Sequence, residues 1–145
     1  MSIQSAIDEL REFVEERSPA FVAVVLDEIS HARLLKWWKS EVGPLLSRKY
    51  AHHMTVQFAP SERDLRGMPM GEKVSLQVIA WAQTNSIQTV AVRSSMKSSS
   101  TIPHVTVATD GVPPSKSNAL IAAEFTRVRG PKLSGTLMGQ ERTAK

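Results

Sequence analysis

Hydrophobic residues recur at helical spacing over residues 2–16. There Ile3, Ala6, Ile7, Leu10, Phe13 and Val14 are separated by Glu and Arg, which predicts an amphipathic helix ended by Ser18-Pro19. Phe21 to Leu26 is an uninterrupted Val-rich apolar run, the pattern of a buried strand. A second helix is expected from an N-cap at Ser30 to about Val42, stopped by Gly43-Pro44. A strand follows over roughly 52–59, and residues 60–71, rich in proline, glycine and charge, predict an irregular surface loop. Val74, Leu76, Val78 and Ala80 alternate as in a strand, and Thr84-Asn85-Ser86 turns it back into another at Ile87 to Arg93. Ser94 to Thr101 is a serine-rich loop, and a further strand covers about 104–109. After a turn at Asp110 to Pro114, Ser115 or Ser117 is expected to cap a helix to about Arg127. Gly130-Pro131 breaks the chain before a last strand at Leu133 to Met138 and a frayed tail over 139–145.

This element order gives a mixed α+β class in one domain spanning residues 1–145, with largely antiparallel strands and helices on the outside. The size suffices for a core without disulfides, and there are no cysteines to form them, to attack a substrate or to bind metal. Neither a signal peptide nor an apolar run of spanning length is visible, so a cytoplasmic protein with no membrane partner is expected. The formal charge of +4 modestly favours anionic partners such as nucleotides or RNA.

Two strands carry the same short pattern. Residues 51–58 (Ala-His-His-Met-Thr-Val-Gln-Phe) and 102–108 (Ile-Pro-His-Val-Thr-Val-Ala) each set a His, one spacer and a Thr inside an apolar run. Side chains two apart share a face of a strand, so His53 projects with Thr55 and His104 with Thr106, while Met54 and Val105 point to the core. Set side by side, the strands would offer two imidazoles and two hydroxyls for acid–base chemistry on a phosphodiester. A lone His-x-Thr is commonplace. Two copies among only four histidines, each in the same strand context, are a consistent signal.

These residues resemble the 2H phosphoesterases, which are named for paired His-x-Ser/Thr motifs. The likeness is sharper at the second copy, where residues 104–118 (His-Val-Thr-Val-Ala-Thr-Asp-Gly-Val-Pro-Pro-Ser-Lys-Ser-Asn) follow the motif with Gly, Pro and then Ser-Asn. That version is similar to the cyclic phosphodiesterase domain of fungal tRNA ligases and to phage anti-CBASS phosphodiesterases, and the chain length suits the latter. The resemblance implies a bilobal fold of mostly antiparallel sheets with a central cleft. It implies a hydrolase with no cofactor in which His53 and His104 serve as acid and base and Thr55 and Thr106 hold the phosphate oxygens. The implied partner is a cyclic oligonucleotide, linearised in the host cytoplasm if phage-encoded, or an RNA end carrying a 2′,3′-cyclic phosphate, rather than duplex DNA. A nucleotide-binding module without turnover is the alternative from another class.

Phe21 and Trp81 are candidates to stack on a nucleobase, against the plain alternative that both are core. Trp37-Trp38 must leave one indole partly outward. Lys116, Lys132, Arg93 and Lys97 are candidate phosphate contacts, and Asn118 is expected to shape the loop after the second motif. His52 should face away from His53, and His31 is expected on a solvated helix surface. No cluster with metal-ligand spacing occurs, so no metal is expected.

Overall fold

The computed structural model describes residues 21–98, 100–120 and 122–140; the helix expected over residues 2–16 lies outside them, and of the tail expected over 139–145 the first two residues continue the last strand while 141–145 lie outside. The strands are β1 (Phe21–Leu26), β2 (Arg48–Lys49), β3 (His53–Phe58), β4 (Lys73–Gln83), β5 (Ile87–Arg93), β6 (His104–Thr109), β7 (Thr126–Arg127) and β8 (Lys132–Gln140). The other elements among the described residues are the α-helices α1 (Glu28–Glu41) and α2 (Glu62–Arg66) and two 3₁₀ segments (Pro114–Ala119, Ala122–Glu124).

All recorded pairings are antiparallel, and the order β6-β3-β1-β8-β4-β5 closes on itself through a β5–β6 pairing, giving a six-stranded barrel. The α+β class and the antiparallel pairing agree with the sequence pattern. A small barrel must fill its interior with alternate side chains. Here Val24, Met54, Leu76, Val90, Val105 and Leu137 are wholly buried in one core. Among the described residues no helix is long and apolar enough to cross a membrane.

Three expected elements differ. The N-cap of α1 is Asp27, whose carboxylate accepts the Ser30 N–H at 2.7 Å, so Ser30 lies one turn inside the helix. There its hydroxyl accepts the Ser134 N–H at 2.8 Å and ties α1 to β8. The expected loop at 60–71 contains α2, closed by a reciprocal capping box between Ser61 and Asp64. The expected helix from Ser115 or Ser117 to Arg127 is instead two 3₁₀ segments and the short strand β7. Pro113 and Pro114 start it, and Ser117, far from capping, is buried beneath it.

β8 lies between β1 and β4, and Gly135 takes the inward position between Leu133 and Leu137. A Cβ there would fall far inside van der Waals contact of the Val25 carbonyl oxygen and the Val24 side chain. A central strand paired on both edges cannot shift to relieve that overlap. Gly135→Ala is therefore expected to cost about 1–3 kcal/mol, read as a lower urea midpoint with unchanged slope. Wild-type stability in that variant would show that the strands can spread.

Candidate active site

β3 and β6 meet at Met54 opposite Val105, both wholly buried. His53 and Thr55 flank Met54, and His104 and Thr106 flank Val105, so four outward side chains surround one cross-strand pair on the outer face of the barrel. Opposed residues on such a face stand about 5 Å apart and diagonal ones about 7–8 Å, a spacing that admits a phosphate between side chains. Before β3 the Tyr50 and Ala51 N–H groups still donate to the Val107 and Thr106 carbonyls at 2.8 and 2.9 Å, but past Met54 no further residue of β3 pairs with β6. The Thr55 carbonyl accepts the Ser98 hydroxyl at 2.6 Å, so the serine-rich loop takes up part of the edge of β3. Positive φ at Ala51 (58°) and Ala59 (43°) marks sharp backbone bends on either side of β3.

The second motif is held by its neighbours. His104 Nδ1 lies 2.7 Å from the Ile102 carbonyl, which accepts an Nδ1–H and leaves Nε2 for the site. Thr106 Oγ1 donates to Ser117 Oγ at 2.9 Å, and Ser100 Oγ donates to Asn118 Oδ1 at 3.3 Å. Ser117, expected both as a possible helix cap and as part of the Ser-Asn pair at 117–118, caps no helix and is bonded to the second motif through Thr106. Phe21 packs against His53, with ring centroids 5.2 Å apart, and against Phe58 at 6.1 Å. Phe58 is 49% exposed.

Burial pushes the His53 imidazole below the ordinary histidine value, and the nearby His52 and His104 push it the same way. Burial lowers His104 too, opposed by its bond to the Ile102 carbonyl. Both rings therefore favour the neutral form at pH 7. A concavity of about 240 Å³ contains His104 and is walled by Phe58, Ile102, Ser117, Asn118 and Phe125. Phe58 thus joins the His104 pocket to the aromatic edge on which His53 rests.

The other candidates lie elsewhere. Trp81 stacks edge-on against the fully buried Trp38, with centroids 5.9 Å apart, and packs on the core side rather than beside the histidines. Lys116 is exposed on the first 3₁₀ segment, Lys97 is exposed on the serine-rich loop, and Lys132 is exposed at the start of β8. Arg93 ends β5 and faces a second, larger concavity. His52 stacks flat on His31 at 5.1 Å, and His31 is half-buried with Nδ1 2.9 Å from the Ala51 carbonyl, so it is not a solvated surface residue. Burial and the neighbouring His31 lower His52 as well. Among the described residues no three His, Asp or Glu side chains converge as a metal site would require.

No protein-family model matches the chain, and no curated protein matches it. The functional reading rests on the residues themselves.

Proposed function

We propose that the protein is a metal-independent phosphodiesterase of the 2H type that linearises cyclic oligonucleotide signals of antiphage defence. The observation that carries this is the setting of His53, Thr55, His104 and Thr106 around the single Met54–Val105 crossing on one face of the barrel. In this reading the seam between β3 and β6 serves as the cleft of a bilobal 2H arrangement.

Water gives a proton to the neutral Nε2 of His104 as its oxygen bonds to phosphorus. The ester bond to the leaving oxygen breaks, and protonated His53 supplies that oxygen with its proton, so one proton is taken and one returned. Thr55 and Thr106 donate to the non-bridging oxygens; for this the Thr106–Ser117 bond reverses, the Ser117 hydroxyl donating to Thr106 Oγ1 and freeing the one Thr106 proton for the phosphate. Phe21 and Phe58 offer a stacking edge for a base.

The test is turnover of cyclic di- and trinucleotides and of an oligoribonucleotide ending in a 2′,3′-cyclic phosphate, in excess EDTA, across pH, read by mass spectrometry. Linear product from the cyclic oligonucleotides supports the proposal. Exclusive opening of the RNA end replaces the substrate, and binding without any product makes the protein a nucleotide-binding module. The pH dependence follows from burial. One histidine must be neutral and the other charged, and both are lowered in the free protein. The bell in kcat/KM should therefore centre below about pH 6.5. A bound phosphate favours the imidazolium, so the kcat bell should lie at higher pH than that of kcat/KM. A kcat/KM optimum above pH 7.5 would overturn this account of the two rings.

A further inference from the structure

Beside the His104 pocket lies a much larger groove of about 1020 Å³, and Ile102 and Phe125 line both. The strand register shows how the two are joined. His104 pairs with Ala91, Ala91 with Ala80, and Ala80 with Arg127. Paired residues share a face, so these four form one row across the outside of β6, β5, β4 and β7. At about 4.8 Å per strand the row carries Arg127 roughly 14 Å from His104. Between them the floor is two alanine methyls, and Ala80 and Ala91 are each almost covered, at 6% and 5% exposure.

The walls are cationic. Arg93, Arg127 and Arg129 line the groove, all three are exposed, and none of the described lining residues is an aspartate or glutamate. Guanidinium groups pair with phosphate in a planar, two-bonded geometry, and Phe125 adds an aromatic face at the junction of the two cavities. We infer that this groove holds the nucleotide chain that continues from the phosphate cleaved between His53 and His104. The substrate is then an oligonucleotide with at least one phosphate beyond the scissile one, rather than a cyclic mononucleotide. This rests on the phosphodiesterase reading of the histidine site.

The experiment compares Arg127→Ala/Arg129→Ala with Lys36→Ala/Lys39→Ala, which removes the same charge from the exposed surface of α1. Binding of a fluorescein-labelled single-stranded oligoribonucleotide is measured by anisotropy at several salt concentrations, and turnover is measured on a cyclic trinucleotide and on a 2′,3′-cyclic mononucleotide. The arginine pair should weaken oligonucleotide binding about tenfold or more, and the salt slope should shrink by about 1.4, near 0.7 for each lost phosphate contact. The lysine pair should change neither. Turnover of the trinucleotide should fall with binding in the arginine pair, while any turnover of the mononucleotide stays at the wild-type rate. Unchanged affinity and salt slope in the arginine pair overturn the groove even if catalysis is intact. Equal losses in the two pairs also overturn it, because they reduce the effect to net charge. If the arginine pair loses binding but wild-type protein turns over nothing, the groove stands and the catalytic reading falls.

Discussion

His53→Ala and His104→Ala are each expected to lower turnover of a cyclic oligonucleotide by about 10²–10⁴-fold, the usual contribution of a positioned proton-transfer group. The double variant should fall little further than the worse single one, because the two rings serve one concerted transfer. Thr55→Val and Thr106→Val remove a phosphate contact and leave the proton transfers in place, so their pH profiles should keep the wild-type shape. A structural role for the histidines would not give this pattern, and a second readout separates the cases. Both imidazoles are held low by burial. A lowered folded-state value means that the unfolded chain binds more protons between the two values. Stability therefore falls as pH drops below about 6.5 and is unaffected well above it. His53→Ala should flatten that fall, bringing the urea midpoints at pH 7.5 and pH 5 closer together than in wild type. Full turnover in both alanine variants would remove the two-histidine mechanism.

The outward pair and the inward spacer at each motif could be read from the chain, because period-two alternation is a property of the strand itself. Met54 and Val105 are wholly buried, and the His and Thr residues beside them are only half-buried. What alternation cannot show is which strands become neighbours. Closure of the barrel through β5 and β6 joins residues on either side of a serine-rich loop. The row from His104 to Arg127 depends on three such registers, so Arg127 and Arg129 had no local signal as site residues. The helix starts turn on competition between nearby caps. Asp27 and Ser30 are both good caps, and the carboxylate three residues earlier takes the role while Ser30 bonds to β8. Ser61 and Asp64 already have capping-box spacing, obscured by the prolines and glycines around them. In the segment after the second motif, the bond from Thr106 to Ser117 and the turn from the Leu120 N–H to the Ser117 carbonyl favour short 3₁₀ turns over a regular helix.

Trp38→Ala is expected to cost about 3–5 kcal/mol, the range for deleting a fully buried aromatic side chain, and to lower the melting temperature by roughly 10 °C. Trp38 is wholly buried on the stripe of α1 that also carries Ser30 and Leu34, and it meets Trp37 and Trp81 edge-on at 6.4 and 5.9 Å. The cavity left by alanine could close only if α1 moved, and Ser30 and Asp27 pin its first turn to Ser134 of β8. Phenylalanine gives a different result for a specific reason. The Trp38 Nε1–H is buried without a hydrogen-bond partner among the described residues, a cost of about 1–3 kcal/mol that Trp38→Phe removes. This gain offsets part of the lost volume, so Trp38→Phe should stay much closer to wild type than Trp38→Ala in urea unfolding. Equal losses would mean that shape alone sets the cost and the orphaned donor carries none. The site feels the same anchor, because α1 holds His31 against the Ala51 carbonyl at the entrance to the first motif. At a temperature where Trp38→Ala is still folded, its turnover should fall by less than tenfold. A loss as deep as that of His53→Ala would show that the position of α1, and not only the two imidazoles, controls the chemistry.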